Sequence, residues 1–127
     1  MERLKYFRDA SVKMFTTRGV KNELPAELCQ HIFTIAFQRA KELEAKGIET
    51  DCYLFITVKT EKYNGMFTRC NITIEQEQPE YETKHKVLIL GDFKINTRLY
   101  LIESWNGKTV DVTPEDHYIT LLFPREY

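Results

Sequence analysis

The sequence predicts an α+β fold, with one long helix packed on a largely antiparallel sheet of five or six strands. Apolar residues recur at helical spacing between Pro25 and Lys46, whereas short stretches on either side alternate apolar and polar residues, as half-buried strands do. Between two of those stretches stands Asn64-Gly65, a strong hairpin signal. With 127 residues, 43% hydrophobic and 13% aromatic, the chain fits a single domain, 1–127, and has material for a real core.

Residues 1–10 read as a polar lead-in. Ser11 to Thr17 alternates as a short strand and ends in the basic corner Thr16-Thr17-Arg18-Gly19. Leu24-Pro25-Ala26-Glu27 opens the helix, with Pro25 in its first turn and Glu27 near the positive end of the dipole; Gly47 is placed to cap the other end. Cys52 to Lys59 and Met66 to Glu75 are antiparallel neighbours across Asn64-Gly65. "EQEQPEYE" reads as a polar break whose acids, Glu77, Glu80 and Glu82, belong to a solvated loop. Lys84 to Leu90, Thr97 to Trp105 and His117 to Phe123 supply the remaining strands, with a polar loop before His117.

On the helix, Leu28, Ile32, Ile35 and Leu43 form one stripe, widened by Cys29, Phe33, Ala36, Phe37 and Ala40. That arc exceeds what one sheet contact needs. Phe33 and Phe37 on its flank are therefore either covered by loops or offered to another molecule, and a homodimer through them is expected. Arg39 projects into the stripe and is read as snorkelling at the core edge. The helix should cover the sheet face carrying Leu54, Ile56, Cys70 and Ile72.

Charge and cysteine usage exclude several function classes. Eighteen basic and 19 acidic residues give a formal charge of −1, and no basic stripe marks a duplex-DNA binder. Cys29, Cys52 and Cys70 stand apart without a CxxC pair, which suggests buried, reduced thiols in a cytoplasmic protein. No apolar run suits a signal peptide or a membrane span. His31, His85 and His117 occur singly, without metal-ligand spacing, and no hydrolase motif is present. No cofactor, metal or enzymatic activity is expected.

Two surfaces hold the binding candidates. At the corner, Arg18, Gly19 and two hydroxyls could hold an anion, yet neither a P-loop nor GxGxxG is present. A turn that requires glycine's backbone freedom is the preferred account. On the second face of the first hairpin, Tyr53 and Phe55 are expected beside Phe67 and Arg69. Such a surface could stack a nucleotide or single-stranded nucleic acid. Core packing or a protein interface ranks ahead, since aromatics pack more often than they read a ligand.

"FTTRGVKNELPAEL", "QEQPEYETKHKV" and "NTRLYLIESWNG…HYITLLFPREY" together resemble the small bacterial domain-of-unknown-function family 960. The likeness covers most of residues 14–127, in order; the lead-in before Met14 and a longer Trp105–His117 loop depart from it. It implies a compact cytoplasmic accessory protein of Gram-positive bacteria or their phages and mobile elements, and it brings no catalytic residues. The expected function is binding of a protein partner, with nucleotide or single-stranded nucleic-acid sequestration as the alternative.

Overall fold

Pro25 stands just ahead of the long helix, where its missing N–H costs nothing. The computed structural model describes residues 13–105 and 117–127, without the side chain of Trp105. The expected lead-in at 1–10 and the loop before His117 lie outside the described residues. In chain order come β1 (Lys13–Thr16), α1 (Arg18–Glu23), α2 (Ala26–Ala45), β2 (Tyr53–Lys62), β3 (Phe67–Glu77), β4 (Glu80–Leu90), β5 (Asn96–Trp105), β6 (His117–Leu122) and a 3₁₀ turn (Pro124–Glu126). The strands form one sheet in the order β1-β6-β5-β2-β3-β4. Among the described residues, only the β1–β6 pairing is parallel.

The expected architecture is present: α2 lies on a six-stranded, mostly antiparallel sheet. Leu28, Ile32, Ile35 and Ala36 of α2 meet Leu54, Ile56, Cys70, Ile72 and Leu101 of the sheet in one core. Gly47 ends the helix at a φ of 74°. Its N–H donates to Glu44 O and that of Ile48 to Leu43 O, the paired bonds that satisfy a helix's last carbonyls.

Three expectations change. The basic corner is not an irregular turn, because Thr17 caps a short helix, α1, that contains both Arg18 and Gly19. Gly19 does not adopt a positive φ, so backbone freedom is not why glycine stands there. The acidic break is also mostly strand. β3 runs to Glu77 and β4 starts at Glu80, with the cis Gln78–Pro79 peptide between them.

Candidate functional site

The corner does hold an anion, and the anion is the chain's own. Thr17 Oγ1 donates to Glu126 Oε1 at 2.6 Å, Gly19 N–H to Glu126 Oε2 at 3.2 Å, and Phe123 N–H to Glu126 Oε1 at 3.0 Å. These bonds, led by that from Thr17, hold the carboxyl below its ordinary pKa. A Cβ on Gly19 would lie 2.6 Å from Glu126 Oε2, so glycine lets the carboxylate approach and any larger residue would push it aside. Arg18 is not among the groups that hold Glu126. A helix start joined to the final residues of the chain could not be read from either segment alone.

The expected aromatic platform does not assemble. In the hairpin, Phe55 faces Glu75 and Arg69 faces Glu61, so Tyr53 and Phe55 lie at the opposite end from Phe67 and Arg69. Antiparallel chains bring together the beginning of one strand and the end of the next, which rules out the expected grouping. Phe55 packs edge-on against Tyr100 at 5.5 Å, and Tyr53 and Tyr100 both meet Tyr127. Arg69 instead lies over Tyr63 at 5.1 Å and pairs with Glu61.

Arg39 does not snorkel. It is 1% exposed, and its guanidinium donates to Thr83 Oγ1 at 2.8 Å, Gln76 Oε1 at 3.0 Å and the Tyr81 carbonyl at 3.2 Å. Burial lowers its pKa to about 10, so it stays charged at neutral pH. Gln76 shares this hub, its amide donating to Glu49 O and Pro79 O. Arg39 therefore ties α2 to β3 and β4 and is absent from any ligand groove described below.

Glu103 has the opposite surroundings. It follows Leu99 and Leu101 on the helix-facing side of β5, is 3% exposed, and neither carboxyl oxygen has a hydrogen-bond partner. Burial pushes its pKa up to about 8, which leaves it mostly neutral at pH 7. Cys52 stands beside it, its carbonyl accepting from Glu103 N–H. Desolvation raises the Cys29 and Cys52 thiols, and brings Cys70 to about 11. All three cysteines are free, buried and in the unreactive thiol form. Among the described residues, no His, Cys, Asp and Glu cluster could hold a metal ion. No helix there is long and apolar enough to cross a membrane.

Phe33 is buried in the core and Phe37 packs against it. Both also wall a groove of about 960 Å³ between α2 and β1. Met14, Phe15, Leu24 and Cys29 complete its apolar lining, and Lys21 and Lys41 stand among its polar residues. Met14 and Phe15 are 47% and 50% exposed. β1 is four residues long and pairs with β6 on one side. On the opposite sheet face, a shallow polar depression of about 830 Å³ gathers Lys59, Lys84, Arg98 and Arg125 around threonines and asparagines, together with Glu75 and Glu82.

No family model and no curated protein matches the chain. Among solved structures, a protein of unknown function from Enterococcus faecalis is similar over 100% of this chain and 97% of its own, with a TM-score of 0.50 and 20% identity. At that identity the likeness shows the fold alone.

Proposed function

We propose that the protein is a non-enzymatic binding module that seats a peptide segment of a partner protein in the groove between β1 and α2. The observation that carries this is the half-exposure of Met14 and Phe15 on an edge strand beside that apolar groove. An extended segment could add to the side of β1 that no described strand pairs, through backbone hydrogen bonds, while its apolar side chains enter the groove. Lys21 and Lys41 favour acidic residues flanking those side chains. The resemblance to domain-of-unknown-function family 960 fits a cytoplasmic accessory role of this kind in a Gram-positive bacterium or one of its mobile elements.

Random-peptide display against the immobilised full chain tests the reading. Selected peptides should share two or three apolar residues with neighbouring acids, and Met14→Glu or Lys41→Glu should weaken them at least about tenfold. Selection of peptides indifferent to both substitutions, or of none, would overturn it.

Nucleotide capture remains the second reading, and one feature favours it: Arg98 lines both the polar depression and an adjoining one that contains Phe55 and Tyr100. Cyclic and linear nucleotides should then raise the melting temperature, because a ligand selective for the native state stabilises it. Loss of that shift in Arg98→Ala would support this reading over the peptide one.

A further inference from the structure

β4 is the second edge of the sheet, 11 residues long and paired on one side to β3. Its exposed positions, all on one face of the strand, are Glu80, Glu82, Lys84 and Lys86, followed by the apolar Leu88 and Leu90. Their cross-strand neighbours do not balance these charges. Glu80 faces Glu77 and Glu82 faces Glu75, two like-charge pairs side by side, whereas Lys84 and Lys86 face the neutral Thr73 and Asn71. Like charges directly opposite each other destabilise a sheet. Lys84 Nζ lies 3.7 Å from Glu82, and its side chain is 78% exposed.

The order of charges, Glu-x-Glu-x-Lys-x-Lys, is antisymmetric about Thr83. We propose that β4 is a self-association edge, on which a second copy of this chain pairs antiparallel with Thr83 opposite the partner's Thr83. In that register Glu80 meets the partner's Lys86, Glu82 the partner's Lys84, and the two reciprocal pairs follow by symmetry. The partner's lysines then lie beside the four carboxylates of Glu75, Glu77, Glu80 and Glu82. Other two-folds placed within the charged stretch bring like charges together. Centred on Lys84, that lysine faces itself; centred on His85, Lys84 faces Lys86; centred on Glu82, that glutamate faces itself.

Lysines on an edge strand ordinarily deter pairing. Here one register turns them from a deterrent into a complement, so the charges choose the register and backbone bonds over seven residues, Glu80 to Lys86, hold the pair. The contact is isologous and therefore closes as a dimer. It joins two sheets edge to edge into twelve strands and leaves both β1 grooves at the far ends, so it does not depend on what those grooves bind.

Charge reversal with complementation tests the register. Wild-type full-length protein should be dimeric by sedimentation at tens of micromolar, more weakly so at high salt. The variants Lys84→Glu/Lys86→Glu and Glu80→Lys/Glu82→Lys should each self-associate about 100-fold more weakly, and an equimolar mixture of the two should recover a dimer. Unchanged melting temperatures of the separated variants would confirm that each is folded. A wild type that stays monomeric near 100 µM overturns the proposal, on the order of the weakest specific contacts. So does a dimer that survives either reversal, or two folded variants that fail to pair with each other.

Discussion

Arg39 and Glu103 are both ionisable and both buried between helix and sheet, yet the fold treats them in opposite ways. Arg39 reaches three neutral acceptors on β3 and β4, whereas Glu103 reaches none on β5 or its neighbours. Arg39 has a long side chain with five donors in a fixed fork, so it can span from α2 to Gln76, Thr83 and the Tyr81 carbonyl at once. Glu103 stands on the sheet itself, between Cys52 and Ile119, where its strand neighbours offer a carbonyl and an aliphatic side chain. It avoids the cost of a buried charge by remaining protonated. A buried cation thus serves as a tie, and a buried acid survives as a neutral guest. The difference lies in reach and in available partners, not in depth.

The comparison breaks most visibly at Arg39. Arg39→Ala removes a large buried side chain and leaves Gln76 and Thr83 partly unsatisfied, so urea denaturation at pH 7 should show a loss of about 3 kcal/mol or more. A loss below about 1 kcal/mol would mean that the hub is incidental.

Glu103 should respond in the other direction. Its folded pKa of about 8 lies above the ordinary 4.5, so the folded chain keeps a proton that the unfolded chain releases. Its contribution is therefore favourable below pH 4.5 and is lost as pH rises through about 8. Replacing Glu103 with Leu should stabilise the protein by about 1–3 kcal/mol at pH 9 and flatten the decline between pH 5 and 8. Parallel stability–pH curves for variant and wild type would contradict this account of Glu103.

The smallest effect is expected at Glu126, an exposed carboxylate with the donors that Glu103 lacks. Its pKa is lowered, so its contribution is present above the ordinary 4.5 and disappears as pH falls through the lowered value. Glu126→Gln should lower the melting temperature slightly at pH 7 and leave it unchanged near pH 2. Gly19→Ala should mimic it by displacing the same carboxylate. Full wild-type stability in both variants would show that the contact contributes nothing.

Much of the site was legible only in part. The corner at Arg18 and Gly19 was weighed as an anion site but ranked behind a simple turn; Gly19 does meet a carboxylate, Arg18 does not, and nothing local names Glu126, over a hundred positions away, as the occupant. Arg39 stood out because it breaks an apolar stripe. Whether it snorkels or is satisfied inside depends on Gln76, which falls in the expected loop, and on Thr83, just ahead of the expected strand. The grouping of Phe55 with Phe67 failed at an elementary point, since a hairpin reverses direction and separates the starts of its two strands.

By itself, the sequence determined the local periodicities. A stripe repeating every 3.6 residues must become a helix with one buried face, and alternation must become strands with one face inside, because burial of apolar surface rewards those periods. The glycine that ends α2 and the Asn64-Gly65 pair that turns β2 into β3, with the Asn64 side chain accepting from Met66 and Phe67 N–H, are local choices of the same kind. Register, edges and the company each charge keeps were decided only by the tertiary structure. They depend on which strands become neighbours, and contacts between residues far apart in the chain carry no signature in either segment. The paired carboxylates of β3 and β4, the unpartnered Glu103 and the occupied corner at Gly19 all follow from that placement.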